Sequence, residues 1–349
     1  MESRVSKASL PIMASENVYI LVVTYRLPRT TIECVTSLLP LCSDRVRILI
    51  IENGSPDNSF EVIRAGLEAY VPAGGLKTAA TDALDPAVFA EGFQILLVRN
   101  ETNIGFGRAI NVLARFVAAN TDDGYFWILN NDVIAEPGSL NALVDTLASR
   151  DDLCLVGSLI AEMARPTVVQ EAGGELVRSV GWCRPLHRGE AIKAVQALAP
   201  VLPTDWVCGA SVLVSIRDFM RVGGFCESYF VYWGDVDLSF LLRASTGRRC
   251  AVVTASVIRH ISRAVDWTVS DRVRTFDLAG VVTFYRRWFP WLWPFVLFVR
   301  GLTYIACDLW KGGGASGRLL KDPRATIDAL GLRRDEPPAA FRAGKSRLT

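Results

Sequence analysis

Two carboxylates that lie two residues apart are the first candidates for chemistry in this sequence. Asp235 and Asp237 belong to the segment FVYWGDVDLSF, residues 230–240. Carboxylates are seldom buried without a partner or a task, and the aromatic residues before this pair are typical of a pocket wall. An acidic pair at the start of a surface helix, where acids favour the helix dipole, is the plain structural alternative. A carboxylate in an aromatic pocket suits general-base catalysis.

A third carboxylate and a histidine follow predicted strands elsewhere in the chain. Asp132 ends the segment LNND, and His260, one of two histidines, follows the run AVVTASVIR. Ligands of open α/β sheets bind at the carboxyl ends of strands. A carboxylate with diphosphate oxygens often holds Mg²⁺ or Mn²⁺, and a neutral imidazole can join it. A turn that caps the next helix explains Asp132 equally well, and a core histidine bonded to backbone is the usual explanation of His260.

A glycine pair precedes a predicted helix in the segment TNIGFGRAIN, residues 102–111. The third glycine of a dinucleotide-binding motif would fall at Ile110, so we reject that motif. Gly105 and Gly107 still allow a close approach of backbone to a ligand, and a helix N-terminus favours phosphate. Taken alone, a plain strand-to-helix turn is the better explanation of this segment.

These candidates must be positioned by an alternation of strands and helices. Apolar, β-branched strands are predicted at 18–24, 46–52, 93–98 and 125–130, and helices at about 29–39, 106–119 and 137–149. This alternation indicates an α/β fold with a parallel sheet. Residues 72–92, rich in Gly, Ala and Pro, are predicted to be a surface insertion. Residues 161–204 are predicted to hold short strands and a mobile loop.

Composition bounds the class of protein. The chain has 349 residues, half of them hydrophobic, which is enough for one large core or two domains. A net charge of +2 indicates neither a nucleic-acid binder nor a binder of acidic polymers. Eight cysteines without a C-x-x-C pair argue against a zinc or thioredoxin-like site and suggest buried free thiols. The N-terminal residues show no secretory signal, so we predict a cytosolic, reducing compartment.

The C-terminal part of the chain combines a tryptophan-rich apolar segment with a basic tail. Residues 288–310 hold four of the nine tryptophans and approach the length of a membrane span. Pro290, Pro294 and Arg300 argue against a clean span. Residues 311–349 carry nine Lys/Arg and four Asp/Glu, a net charge of 9 − 4 = +5. We predict a segment that lies in the membrane interface. A buried helix and a spanning helix are the alternatives.

Taken in order, the motifs resemble the inverting family 2 glycosyltransferases with the GT-A fold, and most closely their bacterial rhamnosyltransferase-like branch. The similarity runs from about residue 18 to 290 through VVTYRLP, IIENGSPD, NIGFGRAIN, LNNDV, DWVCGASVLV, VGGFCESYFVYWGDVDLSFLLR and VIRH. It implies an α/β fold whose mixed, mostly parallel sheet is flanked by helices, with a C-terminal apolar helical segment. The expected organisation is a flexible N-terminus (1–16), a GT-A domain (17–264), a helical membrane-associating segment (265–311) and a basic tail (312–349).

The resemblance also assigns a donor side. It implies a nucleoside pocket and diphosphate contacts built by Thr24, Tyr25, Glu52, Asn103, Gly105, Arg108, Asn130 and Asn131. Family members usually have Asp where Glu52 stands, which puts base recognition at that position in question. Residues 130–132 match the D-x-D motif with Asn in its first place. Asp132 would be the main carboxylate on Mg²⁺ or Mn²⁺, and His260 would complete the metal site.

The catalytic and acceptor-side roles come from the same resemblance. Asp235 matches the catalytic base of the E-D motif, with Gly234 in place of the usual Glu, and Asp237 would orient the acceptor or the base. The wall between donor and acceptor would be formed by Trp206, Gly209, Ala210 and Trp233.

The implied function is transfer of a sugar, preferably rhamnose from dTDP-rhamnose, to a hydroxyl of a lipid-linked or polysaccharide acceptor. The expected place is the inner face of the cell membrane, in the synthesis of O-antigen or exopolysaccharide, with no nucleic-acid partner. Three alternatives stay open: a UDP- or GDP-sugar donor, an inactive nucleotide-binding homologue, and an integral membrane protein. Asn130 and Gly234, which depart from the family pattern, keep the second alternative open.

Overall fold

The predicted alternation of strands and helices builds one mixed sheet with helices on both faces. The computed structural model describes residues 16–261 and 271–310. The strands within these residues are β1 (Val18–Thr24), β2 (Val46–Asn53), β3 (Leu76–Ala80), β4 (Ile95–Asn100), β5 (Tyr125–Asn130), β6 (Val133–Ala135), β7 (Leu153–Glu162), β8 (Arg165–Glu171), β9 (Gly174–Val177), β10 (Trp182–Pro185), β11 (Val201–Thr204), β12 (Ser211–Ser215) and β13 (Arg249–His260). The helices there are α1 (Pro28–Leu38), α2 (Ser59–Glu68), α3 (Pro86–Ala90), α4 (Phe106–Ala118), α5 (Ser139–Ser149), α6 (Ile192–Gln196), α7 (Ile216–Arg221), α8 (Gly234–Thr246), α9 (Asp271–Trp288) and α10 (Trp293–Trp310).

The sheet order brings the candidate residues to one edge. Its strands run β11-β13-β7-β12-β5-β1-β2-β4-β3, with β6 beside β13 and β8 beside β7. The strands β5, β1, β2, β4 and β3 are parallel, whereas β12 is antiparallel to both β5 and β7. All seven residues of β1 are buried, as expected for a parallel strand covered on both faces. The predicted α/β fold with a mixed, mostly parallel sheet is confirmed.

Helices cover the two faces through separate apolar layers. One layer is formed with α1, α2 and α5, whose buried side chains include Leu38, Ile63 and Leu143. The other is formed with α4, α7 and α8 and includes Ile110 and Phe219. Because both faces are covered, the carboxyl edge of the parallel strands is where polar side chains can gather.

Two segments differ from their sequence-based description. Within residues 72–92, predicted to be a surface insertion, β3 pairs with β4 and forms the last strand of the sheet. Each of its five residues is half-buried or exposed, so this short edge strand gives little hydrophobic signal. Within 161–204 the predicted short strands are present. In place of a mobile loop, the structure has α6 and the hairpin of β9 with β10.

The C-terminal helices α9 and α10 pack against α8 and the residue before it, Trp233. A cluster of mainly aromatic residues joins them, including Trp233 and Phe240 on one side and Phe284, Tyr285 and Val296 on the other. Each residue of this last trio is completely buried. None of the helices in the described residues is both long and apolar enough to cross a membrane.

A buried carboxylate explains the charge in the middle of α10. Asp277 of α9 accepts hydrogen bonds from Arg300 at 2.8 Å, from Tyr304 Oη at 2.5 Å and from Trp233 Nε1 at 2.9 Å. Buried ions are tolerated when they are paired and hydrogen-bonded. Arg300, which argued against a clean span, therefore joins α10 to α9.

Candidate active site

The candidate metal ligands meet where β5, β6 and β13 converge. His260, the last residue of β13, pairs with Val133 of β6, and the amide of Ile261 donates to the carbonyl of Asp132 at 3.0 Å. These backbone contacts place His260 Nε2 3.1 Å from Asp132 Oδ1, with each side chain about 15% exposed. Asn130 Nδ2 lies 3.4 Å from the same imidazole nitrogen. The structure thus brings these three predicted residues together.

Asp235 lies in the first turn of α8, in a partly covered position. Its Oδ2 accepts a hydrogen bond from the amide of Gly209, and its Oδ1 accepts one from the amide of Val236, both at 2.9 Å. Burial raises the pKa of Asp235, and these backbone donors oppose the shift. Each oxygen of an ionised carboxylate keeps a further lone pair, so the group can still accept a proton from a ligand.

The loop before β12 connects the two halves of the site. Gly209 contacts Asp235, while the carbonyl of the next residue, Ala210, accepts a hydrogen bond from the amide of Asn130 at 3.4 Å. Trp206, also predicted for this wall, is buried against Gly174, where a Cβ would lie 2.1 Å from the indole. Gly209 and Ala210 therefore link the candidate base to Asn130, whereas the contact shown for Trp206 is with Gly174 of β9.

Two consecutive residues before α8 have left-handed backbone. Tyr232 has φ 61° and Trp233 has φ 63°, values that non-glycine residues rarely adopt and that cluster at functional sites. Trp233 is 5% exposed, and its ring packs on Gly280 of α9. The prediction that Trp233 lines the acceptor side is thus not supported, because α9 covers its ring.

Asp237 faces α9. It is completely buried, its Oδ2 accepts from Arg287 at 2.6 Å, and its Oδ1 accepts from Trp288 Nε1 at 2.7 Å. The predicted role of Asp237 in orienting the acceptor or the base gains no support from these contacts. They make it instead the residue that joins α8 to α9.

The predicted nucleoside pocket is held by an internal network at the end of β1. Thr24 is completely buried, and its hydroxyl donates to the carbonyl of Arg26 at 3.1 Å. Asn131 Nδ2 donates to the hydroxyls of Thr24 and Thr31, at 3.2 and 3.0 Å. Tyr25 is 38% exposed. Thr24 and Asn131 are therefore engaged with the protein itself, and Tyr25 is the accessible side chain of the three predicted residues.

The end of β2 supports the same pocket. Glu52 is 3% exposed, and its Oε1 accepts hydrogen bonds from the amide and the hydroxyl of Ser55. Asn53, which the sequence analysis missed, donates to Asn103 Oδ1 at 3.1 Å and to the carbonyl of Gly105 at 3.2 Å. Glu52 and Asn53 thus hold the turn and the glycine loop in place.

The N-terminus of α4 contacts the loop that precedes α8. Gly105 has φ +89°, and a Cβ there would lie 2.7 Å from the carbonyl oxygen of Phe230. The same carbonyl accepts a hydrogen bond from the amide of Phe106 at 2.9 Å. Arg108, predicted to contact the donor, donates from Nε to the carbonyl of Glu227 at 2.9 Å. This helix start therefore holds the loop before α8, and its contact with the donor stays a prediction.

Two buried residues at the end of β8 were also missed. Gln170 Nε2 lies 2.9 Å from His260 Nδ1, on the ring edge opposite to Asp132. Glu171 is 7% exposed, hydrogen-bonded to the thiol of Cys208 and within electrostatic reach of Asp235. Residues 161–204 have no sustained hydrophobic periodicity, so nothing in the local sequence pattern places their polar residues at the site.

Glu171 should make the stability of the fold depend on pH. Burial, followed by the Asp235 carboxylate, raises the pKa of Glu171 to about 8. Below about pH 4.5, Glu171 is protonated in both the folded and the unfolded state. Between pH 4.5 and 8 it stays protonated only in the folded state, so the free energy of unfolding falls as the pH rises towards 8. Glu171→Gln removes this loss. We expect the variant to gain up to about 5 kcal/mol over the wild type between pH 4.5 and 8.

Urea denaturation of both proteins across that pH range measures the difference. Parallel stability curves for the wild type and Glu171→Gln would show that Glu171 is already ionised in the folded protein.

Comparisons with known proteins point in one direction. The family described as glycosyl transferase family 2 matches residues 19–172. An N-acetylglucosaminyl-diphospho-decaprenol L-rhamnosyltransferase of Mycobacterium tuberculosis is 28% identical over 262 residues, which cover 69% of this chain and 75% of that protein. Rhamnosyltransferase WbbL of Escherichia coli is 26% identical over 144 residues, which cover 40% of this chain and 54% of that one.

Solved structures share the fold. The structure of GalNAc-T7 with UDP, GalNAc and Mn²⁺ aligns with a TM-score of 0.57 at 12% identity, covering 90% of this chain and 54% of that one. The mannosyltransferase PcManGT from Pyrobaculum calidifontis, in complex with GDP-Man and Mn²⁺, aligns with a TM-score of 0.53 at 15% identity, covering 95% and 84%. At these identities the likeness concerns the architecture alone.

Proposed function

Since this chain belongs to the family 2 glycosyltransferases, we propose that it transfers L-rhamnose from a nucleotide donor to a hydroxyl of a lipid-linked saccharide, with inversion. The observation that carries the proposal is the convergence of Asp132, His260 and Asp235 across one loop. Asn130 lies beside His260, which contacts Asp132. The backbone of residues 209–210 links Asn130 to Asp235. A donor diphosphate on one side of this loop would present its anomeric carbon to an acceptor on the other.

Asp235 is the proposed base. Its raised pKa makes it a better proton acceptor than an exposed aspartate, and the amides of Gly209 and Val236 fix its orientation. It takes the proton of the acceptor hydroxyl as that oxygen attacks the anomeric carbon from the face opposite to the diphosphate. A single base without a protein nucleophile gives one displacement, and therefore an inverted anomeric centre.

The carboxylate of Asp132 and the imidazole of His260 fit a divalent ion such as Mg²⁺ or Mn²⁺, and Asn130 could contribute only through its amide oxygen, since it is Nδ2 that lies near the ring. The described residues hold no cluster of three or more His, Cys, Asp or Glu side chains suited to a metal. Asp132 and His260 would therefore bind the ion together with diphosphate oxygens of the donor, with Asn130 as a neutral third neighbour. When bound, such an ion offsets the negative charge that develops on the leaving diphosphate.

The relatives support the choice of sugar and acceptor. Both are named rhamnosyltransferases, and the mycobacterial name specifies an N-acetylglucosaminyl-diphospho-decaprenol acceptor. The two solved structures contain UDP or GDP-Man with Mn²⁺, so the fold accepts more than one nucleotide. We therefore propose dTDP-rhamnose as the donor and a polyprenyl-diphosphate saccharide, in bacterial surface polysaccharide synthesis, as the acceptor.

A donor panel tests this function. The full chain with Mn²⁺ is incubated with dTDP-L-rhamnose, UDP-glucose, UDP-galactose, UDP-galactofuranose or GDP-mannose, with or without a short-chain prenyl-diphosphate GlcNAc. We expect acceptor-dependent nucleotide release from dTDP-L-rhamnose and a product of inverted configuration by NMR. Release from a UDP- or GDP-sugar alone would refute the sugar assignment, and the absence of transfer from any donor would refute the proposal as a whole.

An apolar stripe on α10 supports a place at the membrane surface. Phe295, Phe298 and Leu302 of α10 are 55, 63 and 49% exposed and recur every three or four residues, so they share one helix face. Trp291, in the turn before the helix, is 75% exposed. The opposite face packs on α9. Nine Lys/Arg against four Asp/Glu follow in residues 311–349. Exposed aromatics that are followed in sequence by a net positive charge favour an anionic lipid surface as the occupant of this stripe.

Vesicle flotation tests the stripe. Trp291→Ser with Phe298→Ser should weaken binding to phosphatidylglycerol vesicles by about tenfold or more, because two large apolar groups no longer enter the interface. The control is Tyr70→Ser, which removes an aromatic of 61% exposure elsewhere. Equal flotation of the two variants would refute membrane docking by this face. So would concentration-dependent dimerisation that the double substitution abolishes.

A further inference from the structure

Gln170 lies behind the candidate metal site. It is 7% exposed, at the end of β8, and its Nε2 is 2.9 Å from His260 Nδ1. The other ring nitrogen, Nε2, is the one that faces Asp132, at 3.1 Å. Gln170 therefore contacts the imidazole on the edge away from the proposed ion, and any influence on that ion must pass through the ring.

The orientation of this amide decides which ring nitrogen carries the hydrogen. In the structure the Gln170 amide donates to Nδ1, so Nδ1 is an acceptor and the neutral ring carries its hydrogen on Nε2, towards Asp132 at 3.1 Å. The longer contact of Nε2 with Asn130 Nδ2, at 3.4 Å, is then not a hydrogen bond. A nitrogen that carries hydrogen has no lone pair for a metal. In this orientation His260 suits the site without its ion, where Nε2–H can donate to the carboxylate.

The opposite orientation suits the occupied site. Turning the amide by 180° exchanges its oxygen and nitrogen with little change of shape. Gln170 Oε1 would then accept from Nδ1–H and leave the Nε2 lone pair towards Asp132. In the present orientation Oε1 is buried and finds no hydrogen-bond partner among the residues that the structure describes. Because that end of the amide is unpaired, the surroundings do not lock it in one orientation.

We propose that Gln170 is a positioning residue whose amide turns when a divalent ion binds, so that it accepts from His260 Nδ1–H and fixes the metal-binding tautomer. The inference rests on the divalent ion of the proposed function. It requires neither a particular sugar nor a particular acceptor. Groups that orient a metal-binding imidazole from behind typically contribute 10–100-fold to metal affinity.

Two substitutions of Gln170 test its proposed effect on metal binding. Gln170→Leu keeps the bulk but offers nothing to Nδ1, and we expect Mn²⁺ affinity, measured by EPR with dTDP present, to fall by about 10–100-fold. Gln170→Glu offers only oxygens, and we expect an affinity at least equal to that of the wild type. Thermal unfolding of each variant checks its fold. Affinities for the Leu variant within threefold of the wild type, or a Glu variant weaker than Leu, would overturn the proposal.

The tautomer itself can be observed in the unmodified chain. The sequence contains only two histidines, so ¹⁵N-labelled histidine gives few signals, and His187→Gln assigns them. With Zn²⁺ as a diamagnetic probe, we expect the hydrogen of His260 on Nε2 without the ion and on Nδ1 with it. A hydrogen that remains on the same nitrogen overturns the inference. If Mn²⁺ binds and the tautomer changes while the donor panel shows no rhamnosyl transfer, only the proposed function fails.

Discussion

Asp235→Asn should bind the nucleotide-sugar donor as tightly as the wild type and transfer sugar about 10²–10⁴-fold more slowly, the range expected for loss of a general base. The substitution keeps the size of the side chain, and one of the two backbone donors, Gly209 or Val236, can still be accepted. The substitution removes one backbone hydrogen bond and the capacity to take a proton from the acceptor hydroxyl. Donor binding by isothermal titration and acceptor-dependent nucleotide release measure the two effects separately.

Asp237→Asn is the matched control, because it makes the same chemical change two residues further along α8. Both oxygens of Asp237 are bound by α9, so this variant should lose stability while its folded fraction keeps a turnover within about tenfold of the wild type. If Asp237→Asn slowed transfer as much as Asp235→Asn, the base could not be assigned to Asp235 alone.

Arg287→Met should destabilise the fold by about 3–5 kcal/mol, since it leaves a buried carboxylate without its cation. Asp237 is completely buried and Arg287 is 12% exposed at the side chain, so water cannot replace the lost partner. Tryptophan fluorescence during urea denaturation measures the loss, because Trp288 donates to the same carboxylate.

The neighbouring position supplies the control. Arg286 is exposed and lies over the ring of Trp293. Arg286→Met should change the free energy of unfolding by no more than about 0.5 kcal/mol. Similar losses in the two variants would mean that the contribution of Arg287 is not its pairing with Asp237.

The strands and the main polar residues of the site were predictable because they follow local rules. Continuous apolar runs identified β1, β2, β4 and β5, and a parallel sheet then places the ends of such strands at one edge. Asp132 follows the end of β5 by two residues and His260 ends β13, so both lie at the carboxyl edge of the sheet by topology. Their contact at 3.1 Å additionally required β13 to pair with β6, a register that sequence does not specify.

The residues that were missed depend on contacts between distant segments. Gln170 and Glu171 reach the site because β8 folds back on β7, and the local pattern carries no sign of this. Asp277 and Arg300 pair across two helices, yet a signal was available: an arginine amid apolar residues requires an acidic partner. The family resemblance and the aromatic neighbours of Asp237 in sequence both point to a role at the active site, whereas its hydrogen-bond partners Arg287 and Trp288 lie some fifty residues later.

The position of β12 between β7 and β5 has a consequence for biosynthesis. The nascent chain exposes the edge of β5 as soon as that strand emerges from the ribosome, and its antiparallel neighbour, residues 211–215, emerges only much later. An apolar strand with a free edge is a template for pairing with other chains. A fragment that stops at residue 172, where the family match ends, lacks β12 and would leave that edge of β5 permanently unpaired. Such a fragment should aggregate when expressed, and recombinant production should extend beyond β13.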